Sequence, residues 1–197
     1  MGEIGTLSFY PSKNLGCYGD GGALMTRDDK LAHILRSICN HGMSRRYYHD
    51  RLGVNSRLDA FQAAVLSIKL RRLDAYTRAR QTAADYYDSR LNGLPGVKIP
   101  VRHPRSTHIF HQYTLQISDG RRDALKEYLR SAGIPSMIYY PVPLQEQRAF
   151  LELVRTPVSL DNTNQLCDTV LSLPMHTELT EDQLDYICDT IHAFFAN

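Results

Sequence analysis

The stretch that decides the fold is Thr6-Leu-Ser-Phe-Tyr-Pro-Ser-Lys-Asn-Leu-Gly-Cys-Tyr-Gly-Asp-Gly-Gly22. It begins as a short apolar strand, turns at Pro11 and presents Lys13 just after the turn. The glycines that close the stretch let the backbone fold tightly before a second short strand at residues 23–26. A lysine held in a turn between two strands is less hydrated than a surface lysine. Its amine is therefore a usable nucleophile.

The residues alone leave a second interpretation of this stretch open. Most lysines are surface charges, so a glycine-rich hairpin with an incidental lysine explains the pattern as well. A third interpretation, a nucleotide-binding module built on glycine turns, is disfavoured. A phosphate-binding loop needs Gly-Lys-Ser or Gly-Lys-Thr after its glycines, and neither sequence follows here.

Four segments of the chain resemble the DegT/DnrJ/EryC1/StrS sugar aminotransferases, which are fold-type I enzymes that use pyridoxal phosphate (PLP). The first segment is Ser8-Phe-Tyr-Pro-Ser-Lys-Asn-Leu-Gly-Cys-Tyr-Gly-Asp-Gly-Gly-Ala23, which resembles the family's Schiff-base segment. The others are Val54-Asn-Ser-Arg-Leu-Asp59 with Gln62-Ala-Ala64, Tyr139-Tyr-Pro-Val-Pro-Leu144 and Leu171-Ser-Leu-Pro-Met175. They lie in the family's order and extend over nearly the whole chain.

The resemblance implies an α/β fold that corresponds to the C-terminal part of a fold-type I aminotransferase. We expect the end of the large PLP-domain sheet at residues 1–57, a long interdomain helix at 58–92 and a small α+β domain at 93–197. Residues 58–91 contain neither proline nor glycine and form one long helix or two nearly collinear ones. The spacing of Phe61, Val65 and Ile68 predicts that these side chains are buried.

Several local patterns add detail to this outline. Residues 43–55 are polar and predict a loop, whereas residues 160–171 are expected to be weakly helical. A capping box of Thr180 and Gln183 predicts the start of a C-terminal helix.

The resemblance also assigns candidate site residues. Lys13 matches the catalytic lysine, which holds the PLP aldehyde and then moves a proton between the substrate and the cofactor. The family's sugar dehydratases have histidine at this position, so Lys13 favours amino transfer. Ser8 matches a serine whose hydroxyl binds the PLP phosphate. Asn55 matches an asparagine that reaches the partner's phosphate, and Arg57 matches an arginine that contacts substrate in the partner's site. The resemblance therefore implies a homodimer with shared active sites.

Tyr139 and Tyr140 match a pair that faces the nucleotide sugar in the family. Many members have histidine at the first of these positions, and many have Leu-His where this chain has Leu144-Gln145. Both differences concern sugar recognition rather than PLP chemistry. The implied substrate is a keto sugar on a nucleotide diphosphate, with a UDP-sugar favoured, and the implied amino donor is glutamate. The product would serve surface polysaccharide or amino-sugar biosynthesis.

Composition narrows the other possibilities. A net charge of +2 gives no electrostatic argument for nucleic acid or a membrane surface, and no apolar run approaches a membrane span. The four cysteines have no paired spacing, which is typical of reduced thiols in a cytoplasmic protein. His103, His108 and His111 lack an acidic or thiol partner at ligand spacing, so no metal site is expected.

Nothing before Lys13 resembles the family's N-terminal half. That half carries the ring that stacks on PLP, a helix that binds its phosphate and the aspartate that pairs with the pyridine nitrogen. We therefore expect weak or absent activity from this chain alone. The alternative function is a truncated, non-catalytic fragment, or one half of a split enzyme that dimerises without turnover.

Overall fold

The computed structural model describes residues 2–153 and 159–196. The chain forms two compact units, Met1–Tyr76 and Thr77–Asn197. The division between the units falls inside the helix Leu73–Leu91. The three-part division at residues 57 and 92 stays a prediction.

The first unit begins with the two expected strands, β1 (Ile4–Ser8) and β2 (Gly22–Thr26). They pair antiparallel, from Ile4 opposite Thr26 to Ser8 opposite Gly22. Among the described residues no further strand joins this two-stranded sheet. Apolar side chains consequently stay exposed on it, namely Ile4, Leu7, Leu24 and Met25.

Helix α1 (Asp29–Ile38) follows, and the Asp28 carboxylate caps it by accepting from the Lys30 and Leu31 amides. The polar segment predicted as a loop forms a small hairpin of β3 (Met43–Arg45) and β4 (Tyr48–His49). Helix α2 (Ala60–Leu70) comes next, capped by Asp59, and α3 (Leu73–Leu91) starts after a break at residues 71–72. The glycine-free segment is therefore two helices.

The predicted burial along α2 was wrong for two side chains. Phe61 is 65% exposed and Ile68 is 67% exposed, whereas Leu66 is buried. Helical spacing identifies an apolar face but does not identify what covers it. In the described part of the first unit, little of that face is covered.

The second unit contains a three-stranded antiparallel sheet in the order β5 (Val97–Lys98), β6 (Tyr113–Ile117) and β7 (Val170–Leu173). Helices α4 (Arg122–Ser131), α5 (Asp161–Thr169) and α6 (Glu181–Ala196) accompany the sheet. A short 3₁₀ turn, Leu144–Glu146, precedes α5. The Thr180 capping box forms as predicted, because its hydroxyl accepts from the Gln183 amide and the Gln183 side chain accepts from the Thr180 amide.

The second unit has an extensive apolar core. Side chains of β6 alternate between buried and half-buried, whereas all four residues of β7 are buried. Helices α3, α4 and α6 add buried side chains to this core, namely Tyr87, Leu91, Leu125, Leu129, Leu184, Ile187, Cys188 and Ile191. The expected α+β architecture is therefore present from β5 onwards.

One secondary-structure prediction in this unit needs correction. Residues 160–171 are predicted to be weakly helical, but the helix ends at Thr169 and β7 begins at Val170. A strand buried on both faces is a short continuous apolar run, and periodicity cannot distinguish such a run from a helix end. In residues 2–153 and 159–196, no helix combines the length and apolar character needed to cross a membrane.

Candidate functional site

The turn that carries Lys13 is closed at its base by main-chain hydrogen bonds. The Lys13 amide donates to the Tyr10 carbonyl oxygen at 2.8 Å, and the Cys17 amide donates to the Phe9 carbonyl oxygen at 2.7 Å. The Phe9 amide in turn donates to the Gly21 carbonyl oxygen at 2.8 Å, which continues the pairing of β1 with β2. Lys13 itself is half-buried. The structure therefore places this lysine on a defined turn rather than on a free surface loop.

Close packing of the backbone explains the glycine at position 16. A Cβ atom on Gly16 would lie 2.5 Å from the Pro11 carbonyl oxygen and 2.8 Å from the Tyr10 carbonyl oxygen. Real Cβ atoms do not approach backbone atoms so closely, so a side chain here would displace the chain. Gly16 thus lets the end of the turn fold back onto its beginning, with Lys13 between them.

Ser8 ends β1 opposite Gly22, three residues before the turn at Pro11. Its hydroxyl oxygen accepts from the Tyr10 amide at 3.3 Å, and the side chain is exposed. Because the oxygen acts as the acceptor in that bond, the hydroxyl proton is not used in it. Ser8 therefore retains a donor for an anion.

Asn55 and Arg57 also belong to the first unit. The segment that carries them runs beside the end of α1, where the Val54 amide donates to Ile38 and the Ser56 amide donates to Cys39. Asn55 and Asn40 form an isolated antiparallel bridge. Both predicted site residues are exposed.

A groove of about 1010 Å³ lies within the first unit, and Arg57 contributes to its lining. Residues of β2 and α1 form about half of its walls. The groove is open, and its polar lining includes Asp20, Arg36 and Asn40.

Tyr139 and Tyr140 lie in the second unit. Their ring centroids are 5.5 Å apart with an edge-on geometry, and Tyr140 is 71% exposed. The peptide bond between them is cis. Nearby, Met137 pairs with Ser172 of β7 as an isolated bridge, which ties this extended segment to the sheet. The structure thus groups Ser8 and Lys13 in one turn system, and it places the tyrosine pair in the other unit.

Two side chains of α2 contact the turn and were not assigned a role from the sequence. The Tyr18 amide donates to Gln62 Oε1 at 2.8 Å, and Lys69 Nζ donates to the Gly16 carbonyl oxygen at 2.6 Å. Gln62 belongs to a segment that carried the resemblance, so a signal for it existed. Lys69 gave no such signal, because its partner is a backbone oxygen 53 residues away.

The β3–β4 hairpin displays arginine side chains stacked on tyrosines. The Arg45 guanidinium lies 3.6 Å from the Tyr48 ring centroid, and that of Arg46 lies 4.9 Å from the Tyr47 centroid. Stacking restrains the guanidinium groups while leaving their donors free for an anion. The exposure of Tyr47 and Tyr48 places both pairs at the surface of the first unit.

Several ionisable groups in the second unit are buried in its core. Burial raises the pKa of the Tyr87 hydroxyl and of the Tyr113 hydroxyl above the ordinary range. Tyr113 also donates to Asp88 at 2.7 Å. Burial raises the pKa of the Cys188 thiol to about 12. These groups stabilise the core in their neutral forms. Within the described ranges, no three His, Cys, Asp or Glu side chains form a cluster suited to a metal ion.

Comparison with known proteins identifies the family. The model of the DegT/DnrJ/EryC1/StrS aminotransferase family matches residues 1–192. A "UDP-N-acetyl-3-dehydro-alpha-D-glucosamine 3-aminotranferase" of Acidithiobacillus ferrooxidans is 44% identical over 193 residues, which are 97% of this chain and 50% of that protein. A "Pleiotropic regulatory protein" of Geobacillus stearothermophilus is 42% identical over 99% of this chain and 53% of its own length. The chain thus spans about half the length of these curated relatives.

Solved structures show the same fold. A DegT DnrJ EryC1 StrS aminotransferase from Brucella abortus superposes with a TM-score of 0.92 at 41% identity, over 100% of this chain and 52% of that one. The S. venezuelae protein DesV, crystallised in complex with a ketimine intermediate, gives a TM-score of 0.91 at 38% identity, over 100% of this chain and 53% of that one. The expected α/β class and its match to part of an aminotransferase are therefore confirmed. The chain belongs to the DegT/DnrJ/EryC1/StrS aminotransferase family.

Proposed function

We propose that the protein acts as a PLP-dependent aminotransferase that moves an amino group from glutamate to a keto sugar on a nucleotide diphosphate, with a UDP-sugar as the favoured substrate. The observation that carries this proposal is the position of Lys13, half-buried on a turn fixed at its base by main-chain hydrogen bonds. The names of several relatives support the substrate class, since they are transaminases of UDP- and dTDP-sugars. The reaction would take place in the cytoplasm.

The residues of the first unit fit the cofactor in their chemistry. An aldehyde needs a primary amine, which Lys13 supplies, and a phosphate needs donors, which the Ser8 hydroxyl and the Asn55 amide supply. Glycines beside Ser8 and in the turn leave room for a ligand to approach the backbone. When bound, PLP would supply the electron sink that stabilises negative charge on the substrate carbon.

The protein side chains would hold the cofactor and the substrate and would move the proton between them. In this proposal Lys13 Nζ retains the cofactor and carries the proton between donor or acceptor carbon and the cofactor. Tyr139 and Tyr140 present an exposed ring pair of the kind that packs against a sugar or base. Arg57 supplies positive charge for an anionic substrate group.

A homodimer with shared active sites is part of the proposal. Asn55 and Arg57 would serve the site of the partner subunit, as the family resemblance implies. The proposed interface lies on and before α2, where apolar side chains are exposed, namely Leu52, Val54, Phe61, Ile68 and Leu70. Apolar clusters of this kind at a surface mark association sites.

The test is covalent labelling of Lys13. The chain is incubated with PLP, reduced with borohydride and mapped by peptide mass spectrometry, with Lys13→Arg as the matched variant. We expect a visible absorbance band and label concentrated on Lys13 in the unsubstituted chain, and neither in the variant. Label scattered over surface lysines in both proteins would overturn the proposed cofactor role for this chain.

A specific observation also favours a second candidate, in which the chain is one half of a two-part enzyme. Within the described residues, both outer edges of the β1–β2 pair lack a neighbouring strand, and the groove beside β2 is open. Two-stranded sheets are marginally stable alone, so a covering polypeptide would stabilise this one. Native mass spectrometry of the assembly purified from the source cell would distinguish the two candidates. A partner of similar mass supports two parts, whereas two copies of this chain alone contradict it.

A further inference from the structure

We infer that Gln62 and Lys69 of α2 are positioning residues that hold the turn carrying Lys13, an inference that rests on the proposed role of Lys13. They lie seven residues apart on one helix, so both side chains leave the same face two turns apart. Both reach the C-terminal end of the turn. Neither contact follows from the pairing of β1 with β2.

The first contact is made by Gln62. Its Oε1 accepts the Tyr18 amide at 2.8 Å, and its Nε2 would lie 3.1 Å from a Cβ atom on Gly19. A side chain at Gly19 would press on this amide group, which packs closely against the backbone there. Gln62 therefore fixes the chain immediately after the turn.

The second contact is made by Lys69. Its ammonium group donates to the Gly16 carbonyl oxygen at 2.6 Å and lies 5.7 Å from the Tyr18 ring centroid. This is a charge-assisted hydrogen bond from a half-buried side chain, which is stronger than a neutral one. Gly16 itself packs directly on Tyr10 and Pro11. A contact that holds Gly16 therefore restrains the beginning of the turn as well as its end.

Through these two contacts, α2 restrains the position of the turn that carries Lys13. The turn is closed at its base by the bond from Cys17 to Phe9, and α2 holds the residues on either side of Cys17. The same helix starts at Ala60, after its N-cap Asp59 and directly after the segment that contains Asn55 and Arg57. The same helix thus adjoins two parts of the proposed sites, the turn that carries Lys13 and the segment whose Asn55 and Arg57 are proposed to serve the partner's site.

The test compares Gln62→Met and Lys69→Met with the conservative variants Gln62→Glu and Lys69→Arg, using Lys30→Met on α1 as the control. Two quantities are measured without PLP: amide hydrogen exchange at Tyr18, and the acylation rate of Lys13 relative to that of Lys30. The Lys30→Met control lacks the reference lysine, so only exchange is measured in it. We expect exchange at Tyr18 to rise about 10-fold in Gln62→Met and several-fold in Lys69→Met. Acylation of Lys13 should rise about threefold in both, and the conservative variants should stay near the unsubstituted chain.

The amide of Leu66 on α2 is the internal reference. If its exchange rises as much as that of Tyr18, the substitutions unfold the helix, and the positioning role is overturned. Unchanged exchange and acylation in both methionine variants would overturn it as well. A chain that takes up no PLP at Lys13 contradicts the proposed function, whereas the exchange result still decides whether α2 holds the turn.

Discussion

The Arg80 guanidinium donates to the main-chain carbonyl oxygen of Met175 at 3.0 Å, which ties α3 to the segment after β7. The same nitrogen donates to the carbonyl oxygens of Phe110 and His111, each at 3.1 Å. Arg80 is only 8% exposed, and burial lowers its pKa, but an arginine stays protonated in a protein. One buried cation therefore satisfies backbone acceptors from two segments that are distant in sequence.

Replacing Arg80 should destabilise the second unit. Arg80→Met leaves the carbonyl oxygens without their charged donor, and we expect the free energy of unfolding to fall by about 2 to 3 kcal/mol. Urea denaturation followed by circular dichroism measures the change. Arg78→Met, at an exposed position of the same helix, is the control and should change stability little. Equal stability of both variants would contradict the structural role of Arg80.

Replacing Gly16 should disturb the turn around Lys13. In Gly16→Ala the new methyl group meets two backbone oxygens that cannot move independently, and such overpacking costs about 1 to 3 kcal/mol. Gly5→Ala is the matched control, because a Cβ atom there lies 3.5 Å from the flexible end of Met25. We expect faster amide exchange at Cys17 and Tyr18 in the first variant alone. Identical exchange in both variants would show that the turn tolerates a side chain.

The stability of the second unit should depend on Asp185 in acid. The Tyr86 hydroxyl donates to Asp185 at 2.6 Å and, with Arg90, lowers the pKa of that carboxyl, although burial opposes the shift. A carboxyl whose pKa is lower in the folded state stabilises the fold above its unfolded pKa. That stabilisation is lost as the pH falls through the folded value.

We therefore expect Asp185→Asn to flatten the decline in unfolding free energy below about pH 4. Denaturant midpoints measured between neutral pH and strong acid test this, with Asp168→Asn, an exposed carboxylate, as the control. An equally steep acid decline in Asp185→Asn would mean that other carboxylates set it.

The cysteines should differ strongly in reactivity. Cys188 is fully buried, and burial raises the pKa of its thiol to about 12, so both access and thiolate content are low. Cys39 is half-buried on the wall of the open groove. With iodoacetamide at neutral pH, we expect Cys39 to be alkylated at least about 100-fold faster than Cys188. Peptide mass spectrometry over time measures the ratio, and comparable rates would indicate that the second unit opens readily.

Sharing of active sites can be tested by mixing inactive variants. Lys13→Ala cannot hold PLP covalently, and Asn55→Ala lacks the proposed contact to the partner's phosphate. In an equal mixture of randomly exchanged dimers, about a quarter of the sites combine an intact lysine with an intact asparagine. Borohydride-fixed PLP should therefore exceed the mean of the two variants measured separately. A mixture that only reproduces this mean would indicate that Asn55 serves its own subunit.

Much of the fold follows from short-range signals. The β1–turn–β2 unit and the Thr180 capping box depend on residues close together in sequence, and each forms where the sequence predicts it. The exposure of Phe61 and the start of β7 could not be predicted in the same way. The first depends on what covers an apolar face, and the second depends on pairing with β6.

The candidate site also combines features that the sequence predicts with features that only the structure shows. Short sequence motifs identified the family, and the resemblance that they carry predicts the site residues Ser8, Lys13, Asn55 and Arg57, because such motifs are local in the chain. Only the tertiary structure revealed that Gln62 and Lys69 of α2 contact the turn around Lys13. Their partners are backbone groups, which every residue possesses. A contact to a backbone group leaves no mark on the identity of the residue contacted, so folding alone decides it.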